Sequence, residues 1–152
     1  MPVVDLWFEY ASTYSHLSVL RAGRAAEAAG VSLRWRVFLL GPIFGAQGLN
    51  DSPFNLFPAK GAHMWRDLER QAAKHGLPPI RRPEPFPQNG LLAARCTIAL
   101  PAAGRPAFAE AVFRAQFAEG GTISDPDLIG ALLTGLGEDA AGLLAAVAAP
   151  EV

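Results

Sequence analysis

At 152 residues, 51% of them hydrophobic and 18% charged, the chain is long enough to bury a core as one domain and too apolar to be disordered. A formal net charge of −1, with both signs interspersed, excludes the electrostatic footprint of a nucleic-acid or anionic-membrane binder. The lone cysteine, Cys96, rules out an internal disulfide and a cysteine-rich metal site, and suits a reducing compartment. No basic leader precedes an apolar run, and no apolar stretch approaches the roughly 18 residues of a membrane span, so a cytoplasmic protein is expected.

Val3 to Tyr10 is rich in Val, Leu, Trp, Phe and Tyr, with apolar residues on both faces, which predicts a central strand covered on both sides. The chain turns at Ala11-Ser12-Thr13 and enters an apolar-periodic helix from Tyr14 to Ala29, stopped by Gly30. Ser12 thus falls where the first unpaired backbone N–H groups of that helix point outward. Serine is a preferred N-cap, and the helix dipole favours an anion at the same place, so Ser12 reads either as a cap or as part of an anion site. Ser32 to Leu39 alternates Leu33, Trp35, Val37 and Leu39 against Ser32, Arg34 and Arg36, which predicts a second strand with one wetter face. A parallel pair joined by a right-handed helical crossover follows.

From Leu40 to Lys60 the period is lost, and Gly41, Pro42, Gly45, Gly48, Asn50, Asp51, Pro53 and Pro58 punctuate a long loop of the functional kind. Gly61 to His75 then reads as a helix with Met64, Trp65, Leu68 and Ala72 on one face. Leu77 to Gly90, with Pro78, Pro79, Pro83, Pro85 and Pro87, is an extended connector or second rim loop. Leu91–Leu100, Pro106–Glu119, Pro126–Gly135 and Asp139–Ala148 read as consecutive helices, the third N-capped by Ser124 ahead of Asp125-Pro126. Two parallel strands do not make a stable sheet alone, so this order leaves the sheet short of partners.

Several motifs occur together in one order: Ser12-x-x-Ser15 at a helix start, LLGPIF from Leu39 to Phe44, N-x-x-P from Asn50 to Pro53, PAK from Pro58 to Lys60, MWRDL from Met64 to Leu68, FPQN from Phe86 to Asn89, and RAQFAEGGTISDP from Arg114 to Pro126. In this order they resemble the 2-hydroxychromene-2-carboxylate isomerases, relatives of the kappa-class glutathione transferases. The resemblance implies an α/β, thioredoxin-like fold of the DsbA and kappa type. Residues 1–152 would be one domain, with residues 1–60 in the thioredoxin-like part and residues 61–150 as a helical insert. The family's closing strand, strand and helix have no counterpart before Val152, so the chain is expected to lack the C-terminal part and, alone, to bind glutathione poorly. The resemblance further implies glutathione as cofactor, a homodimer, and cis–trans isomerisation of an aromatic pyruvate in aromatic hydrocarbon catabolism. Kappa-like glutathione transfer and a non-enzymatic binding module are the alternatives.

Site residues follow from the matched motifs. In thiol oxidoreductases of this fold the strand-to-helix turn carries C-x-x-C, whereas here it reads Ser12-Thr13-Tyr14-Ser15 and must borrow a thiol. Ser12 is implied as the catalytic residue, its hydroxyl donating a hydrogen bond to the glutathione thiolate. Asn50 and Lys60 are implied as ligands of glutathione and substrate carboxylates, and Asn89 as a substrate ligand, although a turn asparagine also bonds its own backbone readily. Ser15 is expected to be structural, and His16 and His63 to face solvent or to pack.

Overall fold

A computed structural model describes residues 1–148. Strand β1 (Val3–Phe8) and strand β2 (Ser32–Val37) pair in parallel, from Val3 opposite Ser32 to Phe8 opposite Val37, and helix α1 (Thr13–Ala29) crosses between them. The period-2 pattern of β2 sets this register: Leu33, Trp35 and Val37 share a face with Leu6 and Phe8, while Arg34 and Arg36 share the other with Asp5. Helix α1 ends at Gly30, whose φ of 65° is the left-handed value that glycine adopts without a Cβ penalty.

Coverage of β1 on both sides is not what the described residues show. Helices cover one face only, and on the other Val3 and Trp7 are each 58% exposed. That open face is kept wettable by Asp5, whose carboxylate accepts from Arg34 Nε at 2.6 Å and Arg36 Nε at 3.0 Å. Those bonds, the one from Arg36 foremost, hold the Asp5 carboxyl below its ordinary range. Arg36 also lies 5.6 Å from the centre of the Trp7 ring.

The covered face meets the main core. Phe8 packs edge-on against Tyr10, Trp35 and Phe113, at 5.4, 5.9 and 6.1 Å between ring centres. Phe113 belongs to α6 (Arg105–Phe117), the central helix of a block that also holds α5 (Leu91–Ala99), α7 (Pro126–Gly135) and α8 (Ala140–Ala148). Phe108, Phe113 and Phe117 of α6 and Ile129 and Leu133 of α7 are fully buried in it. A smaller core, Leu17 and Leu20 of α1 against Leu68, Ala72 and Leu77, fastens helix α4 (Pro58–Lys74) to the other side of α1.

The four C-terminal helices and both strands stand where periodicity places them, with three corrections. The segment from Leu40 to Lys60 is not a loop throughout, since it holds two short helices, α2 (Leu40–Ala46) and α3 (Pro53–Leu56). Helix α4 starts at Pro58 rather than Gly61, because proline at the first helical position has no N–H to lose, and this puts Lys60 in its first turn. The cap of α7 is Asp125, whose carboxylate accepts from Asp127 N, and not Ser124. Residues 149 and 150 of the expected insert lie outside the described residues.

Candidate functional site

The C-terminal end of β1 delivers the chain into the turn that starts α1. Ser12 has extended backbone angles, φ −83° and ψ 120°, and its Oγ accepts from Ser15 N at 3.1 Å. This is an N-cap, so the simpler of the two readings of Ser12 is realised. The cap leaves the hydroxyl proton unused, because an oxygen that accepts from Ser15 can still donate. His16 N is taken by the Ser12 carbonyl at 3.2 Å, which leaves the Thr13 and Tyr14 amides as the open ones of the first turn. Ser15 is structural: its Oγ accepts from Glu9 N at 3.3 Å.

Ser12 borders a cavity of about 430 Å³. Leu39, Gly41, Pro42 and Phe44 enter its wall from α2 and its approach, Asn50 to Phe54 from the next connection and α3, and Phe86 to Leu91 from the proline-rich segment, in which Glu84–Pro85 and Phe86–Pro87 are cis. A volume of this size, walled mainly by apolar side chains with a few convergent polar groups, is that of a small-molecule site. Asn55 ties two of its walls together, donating from Nδ2 to the Phe86 carbonyl at 2.8 Å and to the Asp51 carboxylate at 3.1 Å. Trp65 braces the proline-rich wall, 4.9 Å from Phe86 between ring centres.

Of the residues singled out in the sequence, Ser12, Asn50 and Asn89 border this cavity together. Asn50 is exposed. Asn89 caps its own loop, its Oδ1 accepting from Leu91 N at 2.9 Å, which leaves its amide N–H groups to donate elsewhere. Lys60 is not in the lining; its ammonium lies 5.8 Å from the centre of the Phe54 ring, and Phe54 stands in the wall. The lining holds no Lys, Arg or His, and its charged members are Glu9 and Asp51. His63 is exposed as expected, whereas His16 is fully buried against Phe113 and Phe117. Burial, with the Arg114 charge added, pushes the His16 imidazole down to about 4, so it is neutral at pH 7.

Sequence reasoning missed Glu9. It is 3% exposed, accepting from Ala11 N at 3.0 Å and from Leu40 N at 2.6 Å. One signal was there: a carboxylate at the end of a strand whose neighbours are aromatic has to find backbone donors. Gly61 reads in the sequence only as a helix start, yet its α-carbon faces the Phe54 carbonyl so closely that a Cβ would be driven into that oxygen. Gly61→Ala should therefore push α3 and Phe54 aside, costing about 1–3 kcal/mol by the usual penalty for overpacking. Urea unfolding measures the loss.

Cys96 takes no part in the turn. It is wholly buried in α5, and burial pushes its thiol up to about 11. Among the described residues no group of three or more His, Cys, Asp or Glu is placed to hold a metal ion, and no helix is long and apolar enough to cross a membrane. A strand running into a helix whose N-terminus borders the cavity, with a helical block packed against that unit, agrees with the family model of the DSBA-like thioredoxin domain, which matches residues 3–152. The chain belongs to the DSBA-like thioredoxin domain family. The turn itself, Ser12-Thr13-Tyr14-Ser15, holds no cysteine and so offers no thiol of its own.

Among solved structures, the chain is similar to the selenomethionine form of 2-hydroxychromene-2-carboxylate isomerase. The TM-score is 0.85 at 22% sequence identity, over 97% of this chain and 72% of that one. The likeness is one of fold. No curated protein sequence matches the chain.

Proposed function

We propose that this DSBA-like protein is a glutathione-dependent cis–trans isomerase of 2-hydroxychromene-2-carboxylate or a similar aromatic pyruvate. The observation that carries the reading is Ser12: a hydroxyl with a proton to donate, at the N-terminus of a 17-residue helix, bordering an apolar-walled cavity in the fold of an enzyme of that name. The α1 terminus fits the thiol end of glutathione, because the open amides of Thr13 and Tyr14 and the Ser12 hydroxyl all favour negative charge. Bound glutathione would supply a thiolate that adds to a conjugated double bond, lets the resulting single bond rotate, and leaves unchanged.

This chain's residues hold and orient. Ser12 donates to the sulfur and lowers the thiol from its ordinary value near 8.5. Asn50 and the free N–H groups of Asn89 offer neutral donors to carboxylates, in a lining that has no cation. Lys60 lends its charge from behind Phe54, 5.8 Å from the ring centre. Phe44, Phe54 and Phe86 receive the aromatic body of the substrate. A homodimer and a cytoplasmic setting belong to the same proposal.

The test follows 2-hydroxychromene-2-carboxylate spectroscopically with and without glutathione, and titrates total thiol. Isomerisation that requires glutathione and consumes none supports the proposal. Conjugation would remove one thiol per product and assign the protein to glutathione transfer, and no reaction in either assay with glutathione saturating would refute the enzymatic reading.

A further inference from the structure

We infer that Glu9 is a positioning residue of this site, a single carboxylate that caps α2 from across the chain while it holds the Ser12 turn. The inference rests on the reading of the Ser12 cavity as an active site. Helix α2 has seven residues, too few to persist in water unaided, and its own N-cap is Leu39, which has no polar atom to offer. Glu9 Oε2 replaces the missing cap by accepting from Leu40 N at 2.6 Å, 31 residues away in sequence. A carboxylate there also complements the helix dipole.

The other oxygen of the same group faces the turn. Glu9 Oε1 accepts from Ala11 N at 3.0 Å, and the Glu9 carbonyl accepts from Ser12 N at 3.0 Å. A third lining segment closes over it, since a Cβ built on Gly90 would lie 3.1 Å from Glu9 Oε1. Both carboxylate oxygens are thus occupied by backbone donors, and Glu9 acts through the groups it holds. It sets the gap between the Ser12 hydroxyl and the α2 wall of Gly41, Pro42 and Phe44.

Glu9→Gln keeps the shape but turns an NH2 group toward one of the two N–H donors, so one of the two bonds must fail. Amide exchange of the unliganded protein, read by mass spectrometry, should be at least about tenfold faster across Leu40–Ala46 and unchanged in α6 and α7. With glutathione and substrate saturating, kcat should fall by about tenfold or more, as misplacement of reacting groups predicts. The glutathione KM should move little, because Ser12 keeps its own bond to Ser15. A purely structural residue would lower the melting temperature and leave kcat per folded molecule alone.

Leu40→Pro serves where Glu9→Gln does not fold. It removes the N–H that Glu9 accepts, proline is tolerated at a first helical position, and Leu39 already has the extended angles, φ −120° and ψ 123°, that a residue before proline adopts. It should show the same fall in kcat and the same fast exchange beyond residue 40. Unchanged exchange across α2, or unchanged kcat, overturns the proposal. A wild-type protein without glutathione-dependent activity would sink the enzymatic reading, and exchange in the two variants would still decide whether Glu9 caps α2.

Discussion

Ser12→Ala should lower kcat/KM roughly ten- to hundredfold at neutral pH, the usual worth of one hydrogen bond to a charged group. The sign of the pH dependence is fixed by which form the hydroxyl favours. In the proposed mechanism Ser12 favours the thiolate, so its loss should move the bound thiol back toward its ordinary value near 8.5, and activity should recover in part as pH rises. The same variant loses an N-cap and about 1 kcal/mol of stability, which alone would mimic a structural defect. Ser12→Asp separates the two effects. Aspartate accepts from Ser15 as serine does, and so keeps α1 capped, but it has no proton to give and sets a negative charge beside the sulfur. It should melt near the wild type and be at least as inactive as Ser12→Ala; an active Ser12→Asp would contradict the donor role. Thiolate absorbance against pH and thermal unfolding, run on both variants, supply the two readouts.

A second large effect concerns acid stability. His16 is neutral in the folded protein because its imidazole, buried against Phe113 and Phe117 with Arg114 adding repulsion, is pushed down to about 4. The unfolded chain takes up a proton near pH 6.5, so between there and pH 4 it binds more protons than the folded one. Stability is full above that window and falls as pH drops through it, by about 3 kcal/mol at the foot, because each pH unit between the two values is worth about 1.36 kcal/mol. Carboxylates such as Asp5 and Asp67, held low by their partners, lose stabilisation only below this range. His16→Phe removes the titration and keeps an aromatic ring in an aromatic site. Urea unfolding at pH 7 and pH 4 should show a smaller acid loss in His16→Phe than in the wild type. Equal losses in the two proteins would mean that His16 is not the group that charges.

The strand–helix–strand unit and the four later helices were legible because each is written in local period and punctuation. Leu33, Trp35 and Val37 alternate, and Gly30 stops α1 where only a left-handed residue can. What was not legible depends on distant partners. Helix α2 has glycines and a proline and no cap in its own neighbourhood, so nothing within Leu40–Ala46 announces it; its cap is Glu9. Glu9 in turn resembles any charged residue ending a strand until Leu40 is brought to it.

The candidate site shows the same division. Ser12 could be placed by the pattern of the turn, and Asn50 and Asn89 by the motifs around them, and all three border one cavity. Lys60 could not be placed, because its direction depends on where α4 begins, and Pro58 starts that helix earlier than the apolar period does. The outward face of β1 misled for another reason: Val3 and Trp7 read as core, and composition alone does not tell an apolar residue with a cover from one without.

Tyr10, two residues before Ser12, is held by partners far along the chain. Its hydroxyl meets Thr97 Oγ1 at 2.6 Å and its carbonyl accepts from Gln116 Nε2 at 2.7 Å, across separations of 87 and 106 residues. Such contacts form only after their loop-closure entropy has been met. During synthesis, a nascent chain that has released β1, α1 and β2 already carries Ser12, but the floor beneath it waits for α6 to leave the ribosome. The turn is therefore made well before α6 and acquires its working shape only once α6 has followed.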